Sequence, residues 1–127
     1  ALLDIDPNHA PALNYLGYMW AEQGENLDRA LMLVQQAVAL EPDNGAYIDS
    51  LGWAHFQLGQ YDEALDHLER AARIVGDDPT VLEHLGDLYR VLDRPSDARD
   101  SYRRSLALDG ENASQVQEKL RQLEDPR

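Results

Sequence analysis

A leucine-glycine pair recurs along this chain at a nearly constant spacing, and this repeat limits the fold more than any other feature. The pairs are Leu16-Gly17, Leu51-Gly52 and Leu85-Gly86. Their glycines are 35 and 34 residues apart. A repeat of this length indicates similar units stacked side by side, which bury their apolar surface against neighbouring units and not in one central core.

Each unit is predicted to be a pair of antiparallel helices, and the clearest unit spans residues 45–78. Small residues at Gly52 and Ala64 would let the two helices approach closely. The alanine of the second helix also recurs, since Ala30, Ala64 and Ala98 are each 34 residues apart. Leucines surround the predicted contact and would fill the space beside it, as their helical spacing allows.

The pattern Ile48-x2-Leu51-Gly52-x2-His55, followed by Ala64-x3-Leu68 and Ala71, resembles the tetratricopeptide repeat family over residues 10–112. The resemblance implies an all-α fold, a right-handed superhelical solenoid of antiparallel helix pairs with about seven helices. The sequence departs from the family pattern at the position four residues before each repeated glycine, where the family often has an aromatic residue. The residues at this position are Leu13, Ile48 and Leu82.

The repeats divide the chain into five segments. Residues 1–9 are interpreted as the remnant of a preceding repeat, because they begin in the middle of the motif, and the chain is expected to be a piece of a longer repeat protein. The three full repeats are residues 10–44, 45–78 and 79–112. Residues 113–127 are predicted to form a C-terminal capping helix and tail, with the first helix of a fourth repeat as the alternative.

The capping interpretation depends on the apolar stripe of the last segment. Val116, Leu120 and Leu123 lie on one helical face together with Ala113, and the opposite face is polar. A terminal repeat needs such a helix, with one side for its neighbour and one for water. Helix starts are predicted from capping residues: Asn8 for the first helix, and Asn44 or Asp43 for the third.

The composition excludes some classes of partner and site. The formal net charge is −13, and a field of this sign repels phosphate backbones and anionic lipid, so a nucleic-acid partner is not expected. The chain has no cysteine, which excludes disulfides and thiolate metal sites. No apolar run is long enough to span a membrane.

The sequence offers no catalytic motif, and neither an enzymatic activity nor a cofactor is predicted. His55 stands three residues after Gly52, a position that holds an aromatic residue in the other two repeats. It is interpreted as a packed ring whose nitrogen has a hydrogen-bond partner. His67 lies beside Asp66 and is interpreted as part of a solvated helix face, with a weak metal site as the alternative. His84 is expected near the binding face, where its titration would make binding depend on pH.

The resemblance implies that the first helix of each pair, called here the A helix, lines a concave groove. Helical spacing then selects the residues that face it, namely those three before, one after and four after each glycine. The candidate peptide-binding residues are Asn14, Tyr18, Asp49, Trp53, Phe56, Glu83, Asp87 and Arg90. Rings interleaved with carboxylates favour a basic or basic-apolar partner segment. For Trp53 and Phe56 the alternative is core packing between repeats.

The same residues disfavour one familiar role. Chaperone-binding members of this family hold a partner's C-terminal carboxylate with Lys and Asn residues along these helices. Only Asn14 resembles that set, and Asp49, Glu83 and Asp87 would repel a carboxylate.

The function predicted from these features is a protein-interaction scaffold that binds an extended peptide or helix in the groove. The alternative is a structural spacer or oligomerisation module of a longer repeat protein, and a hydrolase or metal site is the third hypothesis. Two short phrases, residues 13–18 and 49–53, also resemble the late repeats of bacterial envelope lipoproteins that act as adaptors. The compartment stays open between the cytoplasm and a bacterial periplasm. Weak self-association is expected if apolar surface near Leu13, Leu16 and Met19 lacks cover.

Overall fold

The computed structural model describes residues 6–124, and this part of the chain contains seven α-helices and no strand. In chain order they are α1 Ala10–Gln23, α2 Leu27–Leu40, α3 Gly45–Gln57, α4 Tyr61–Val75, α5 Pro79–Val91, α6 Pro95–Ala107 and α7 Ala113–Glu124. The prediction of an all-α fold with seven helices is confirmed. The predicted N-terminal remnant falls mostly outside the described residues, and so does the end of the tail.

The helices belong to two compact units, one ending at Ile74 and the other beginning at Val75. The first unit holds α1 to α4, apart from Val75, the last residue of α4, and the second holds α5 to α7. The A helices of the three predicted repeats are α1, α3 and α5, and the B helices are α2, α4 and α6. None of the described helices combines the length and the apolar character that crossing a membrane requires.

Local sequence signals explain where the helices begin and end. The Asn44 side chain accepts a hydrogen bond from the Tyr47 amide and caps α3, as predicted, and Asp78 caps α5 in the same way. The prediction for Asn8 is wrong. His9 precedes α1 without a side-chain cap, while the Asn8 amide donates to Asp6. Gly24 ends α1 at φ 70°, a conformation that glycine adopts without strain.

The repeated glycines lie where an A helix meets its B helix. A Cβ atom placed on Gly17 would come within 2.7 Å of Val34, and one on Gly52 within 2.8 Å of Leu68. A Cβ on Gly86 would overlap the Tyr102 ring. The predicted close approach between paired helices is therefore present in all three repeats.

The core of the first unit is formed where α1, α2 and α3 meet. Leu16, Trp20 and Val34 are buried there together with Leu51 and Trp53. Leu13 is only 2% exposed and Leu16 only 6%, so these two leucines do not provide the uncovered apolar surface on which the expectation of self-association rested. Met19 is partly buried and packs against the same cluster.

In the second unit, α7 covers the apolar side of α6. Val116 is 1% exposed and packs with Ala98 and Tyr102, and Leu120 and Leu123 pack against this cluster while partly buried. The predicted apolar stripe of the last helix is thus the side that packs against the third repeat.

Candidate functional site

The candidate groove residues of the first unit come from two neighbouring A helices, α1 and α3, which pack side by side. The side chain of Gln57 joins them, since its Nε2 donates a hydrogen bond of 2.7 Å to the Ala21 carbonyl. Because α1 and α3 are adjacent, residues at equivalent positions of the first two repeats lie on one shared face.

Trp53 and Phe56 form an aromatic stack on α3. Their ring centroids are 4.7 Å apart and their planes differ by 9°. Trp53 is only 7% exposed, so the expectation that its ring is open to a ligand is wrong. It belongs to the buried cluster that joins α1, α2 and α3. Phe56 is partly exposed and also contacts Tyr61, at a centroid distance of 5.5 Å.

The polar candidates of the first unit differ in accessibility. Asp49 is only 5% exposed. Asn14 is half-buried, and its Oδ1 atom is buried and accepts no hydrogen bond among the described residues. Tyr18 is half-buried and packs against the aromatic cluster. The accessible residues of this face are therefore mainly Tyr18 and Phe56, together with the half-buried Asn14.

In the second unit, Lys119 of α7 binds the two candidate carboxylates of α5. Its Nζ lies 2.7 Å from Glu83 Oε2 and 3.0 Å from Asp87 Oδ1. Asn112 adds a hydrogen bond of 3.2 Å to Glu83 Oε1. These contacts raise the pKa of Lys119 even though its burial alone would lower it. The ammonium group stays charged and forms an ion pair with each of the two carboxylates.

Tyr102 and Arg90 extend the same network. The Tyr102 hydroxyl donates a 2.6 Å hydrogen bond to Asp87 from a fully buried ring. Burial raises the pKa of Tyr102 far above its ordinary value, and the charge of Asp87 adds to this effect. Arg90 donates to Gln122 of α7 at 2.9 Å. All three candidate residues of α5 thus take part in contacts with α6 or α7.

Three histidines of the second and third repeats are buried or partly buried. His55 is 9% exposed, and its Nδ1 lies 2.7 Å from Gln60 Oε1, which confirms the prediction of a packed ring with a satisfied nitrogen. Its ring stacks on His67 with centroids 5.3 Å apart. His67 is therefore not simply a solvated residue. His84 is buried at 4% exposure. No group of three potential metal ligands occurs among residues 6–124.

Two clefts flank α7 in the second unit. One, of about 240 Å³, lies between the start of α5, the end of α6 and the start of α7, and includes Glu83, Ser105 and Asn112. The other, of about 480 Å³, lies between α6 and α7, and includes Leu106, Leu120 and Glu124. The helix is therefore bordered by solvent-open clefts on two sides.

Sequence reasoning did not find Lys119, Asn112 or Tyr102 as parts of this network. Lys119 contacts Glu83 from 36 residues away, and the repeat pattern does not extend to the last helix. The one available signal was its position three residues after Val116, which places it beside the apolar stripe of α7.

The chain matches known proteins over most of its length. Residues 51–111 match a family model described as a tetratricopeptide repeat. A TPR repeat-containing protein of Pseudomonas aeruginosa is 35% identical over 82 residues, which are 65% of this chain and 14% of that protein. This chain therefore corresponds to a small part of that relative's length.

Solved structures share the fold at low sequence identity. The first TPR of Spaghetti (RPAP3), bound to the HSP90 peptide SRMEEVD, has a TM-score of 0.79 at 20% identity, with 96% of this chain and 95% of that chain covered. PcrH in complex with the chaperone binding region of PopD has a TM-score of 0.77 at 20% identity, with 94% of each chain covered. The family match, the relative and these folds agree, and the chain belongs to the tetratricopeptide repeat family.

Proposed function

We propose that this chain is a protein-interaction scaffold whose A helices bind a peptide or helix of a partner protein. The observation that carries the proposal is the aromatic face of the first unit. There α1 and α3 lie side by side, and the partly exposed rings of Tyr18 and Phe56 pack on one buried cluster. Rigid rings offer contact area at little cost in conformational entropy.

The comparisons support a binding role of this kind. Two proteins of the same fold are described with bound peptide segments, the HSP90 peptide for RPAP3 and the chaperone binding region of PopD for PcrH. We propose no catalytic role for this chain. The proposed contact residues of the first unit are Asn14, Tyr18 and Phe56, while Asp49 and Trp53 of the same face are buried. Those of the second unit are Glu83, Asp87 and Arg90.

We further propose that the partner segment is basic or basic-apolar. The net charge of −13 would attract such a segment over distances of about one Debye length, and salt would weaken this attraction. In the second unit the local acids already share the ammonium of Lys119. We therefore expect the charge preference to act mainly on the association rate, and the rings to act on the dissociation rate.

A second candidate is the spacer or oligomerisation module, for example within a bacterial envelope adaptor. It is favoured by the fact that the chain corresponds to 14% of a longer bacterial repeat protein. A spacer needs no ligand on its A helices. The two candidates therefore differ in whether the aromatic face has an occupant.

The proposed function is tested by capturing a partner with the 127-residue chain as bait and titrating it against two matched variants. Tyr18→Ala should weaken binding at least tenfold, since a ring at the centre of an interface contributes about 2 kcal/mol or more. Tyr15→Ala removes a ring of the same type from the same helix, but Tyr15 is 71% exposed and lies outside the proposed face. Equal affinities for both variants would refute the proposed site.

A further inference from the structure

We propose that α7 is an internal occupant of a helix-binding surface on α5 and α6. The partner segment that fits this surface is an amphipathic helix with a lysine or arginine three residues after its central apolar residue, as Lys119 follows Val116. The inference rests on the proposed function, because it names the kind of partner segment that the second unit would bind.

The first support is the match between the contacts of α7 and the candidate binding residues. Its polar side chains contact Glu83, Asp87 and Arg90, the three residues of α5 selected as candidates for binding a partner. The Lys119 ammonium, at 2.7 Å from Glu83 and 3.0 Å from Asp87, takes the place that a basic side chain of a partner would take. An amphipathic helix that presents a lysine to these acids is therefore already bound there, and it comes from the chain itself.

The second support is the small apolar anchor of α7. Among its twelve residues, all of which the structure describes, Val116 is the one buried below a tenth of its surface. Lys119 keeps 30% of its side-chain surface exposed while it contacts the two acids. The acids themselves expose only 9% and 16% of their side chains, so they need a cation beside them, which a competitor with its own lysine or arginine would supply. A helix held in this way can be displaced by a competitor with better packing.

The third support is the space beside α7. The clefts of about 240 and 480 Å³ lie along its start and along its contact with α6. Both clefts are open to solvent and have linings of mixed polar and apolar residues. A partner helix with larger side chains than those of α7 would bury more of the surface of α5 and α6 there.

Charge favours an external helix as well. The segment from Ala113 to Glu124 contains Lys119 and Arg121 but also Glu118 and Glu124, so its side chains carry no net charge. The chain as a whole carries −13. A partner helix with a net positive charge would therefore be attracted more strongly than α7 is.

The short connection between α6 and α7 determines how strongly α7 competes with an external helix for this surface. Only residues 108–112 join the two helices, so α7 is held near its surface at an effective concentration on the order of millimolar. A partner binds the fraction of molecules in which α7 is released, and its apparent affinity is reduced by that fraction. Weakening α7 should therefore strengthen binding in trans.

The test uses a labelled synthetic peptide with the sequence of residues 113–124 and the full chain. Lys119→Glu in the chain places a third acid beside Glu83 and Asp87 and should release α7. We expect this variant to bind the peptide at least tenfold more tightly than the unmodified chain does. A peptide that itself carries Lys119→Glu should not bind. Arg121→Glu in the chain is the matched control, with the same charge change on a side chain that is 70% exposed.

Equal peptide affinities for the Lys119→Glu and Arg121→Glu chains would overturn the inference. If circular dichroism shows that Lys119→Glu unfolds the second unit, Lys119→Met replaces it. This variant removes the charge while keeping an unbranched side chain, and the same direction of change is expected. No gain of the Lys119→Met chain over the Arg121→Glu control would overturn the inference equally.

The proposed function can fail separately. If Tyr18→Ala abolishes binding of a captured partner while Lys119→Glu leaves that affinity unchanged, the scaffold role stands and the role of α7 is refuted. If the Lys119→Glu chain binds the peptide more tightly, as expected, but Tyr18→Ala leaves the affinity for the captured partner unchanged, the helix-binding surface stands and the proposed aromatic face is refuted.

Discussion

Leu68 of α4 packs directly against Gly52 of α3, so closely that a Cβ atom on Gly52 would lie 2.8 Å from Leu68 Cγ. Gly52→Leu should therefore force the two helices apart. Overpacking of this kind costs about 1–3 kcal/mol and exceeds the gain of about 0.8 kcal/mol in helix propensity when glycine is replaced. We expect a net loss in the free energy of unfolding, measured by urea denaturation.

The control for this change is Gln35→Leu on the exposed side of α2, which should leave the stability nearly unchanged. Gln60, although exposed, is unsuitable because its Oε1 lies 2.7 Å from His55 Nδ1. If Gly52→Leu and Gln35→Leu had the same effect, the assignment of Gly52 to the helix contact would be wrong.

Tyr102→Phe should destabilise the second unit. The change removes the hydroxyl that donates a 2.6 Å hydrogen bond to Asp87, and it leaves a mostly buried carboxylate with one partner fewer. We expect a cost of about 1–3 kcal/mol in urea denaturation. Tyr15→Phe, at a residue that is 71% exposed, should cost nothing measurable.

The same tyrosine should give the protein a dependence on alkaline pH. The pKa of Tyr102 is raised in the folded state, so the stability it contributes is complete below the unfolded value of 10.0 and is lost as the pH rises beyond that. Unfolding midpoints measured between pH 9 and pH 11 should fall more steeply for the unmodified chain than for Tyr102→Phe. Parallel curves would contradict this role of Tyr102.

His67 should make the first unit sensitive to mild acid. Burial lowers its pKa, and the neighbouring His55 lowers it further, while Asp66 and Glu63 oppose this and Arg70 adds to it. The unfolded chain then binds more protons, so stability is lost as the pH falls below the unfolded value of 6.5. The urea midpoint should drop less between pH 7.5 and pH 5.5 in His67→Gln than in the unmodified chain.

The control for the acid effect is His9→Gln, at an exposed residue that precedes α1. This variant should keep the pH dependence of the unmodified chain. A His9→Gln chain that loses as much of the pH dependence as His67→Gln would show that His67 is not its source.

The fold could be predicted from the sequence because its signals are local and repeated. The repeated glycine, such as Gly52, marks a close contact between two helices in each repeat. Pro79 and Pro95 start helices because proline has no amide hydrogen to lose there. The packing of His55 followed from the same register, since its slot faces the paired helix.

The accessibility of the candidate site could not be predicted in the same way. Trp53 is selected for the groove by helical spacing, but its ring is buried in the cluster that joins α1, α2 and α3, and spacing along one helix does not reveal contacts with other helices. The contact of Lys119 with Glu83 depends on how α7 is seated on the third repeat. No repeat register connects those two residues, so this ion pair required the structure.

The central claim is that partner binding uses the A-helix faces, and residue-resolved amide NMR during titration with a captured partner tests it most directly. Perturbations should centre on Tyr18 and Phe56 in the first unit and on Glu83 and Asp87 in the second. Perturbations that centre instead on exposed B-helix residues, such as Met32, Gln35 and Arg103, with the A helices unchanged, would contradict the claim.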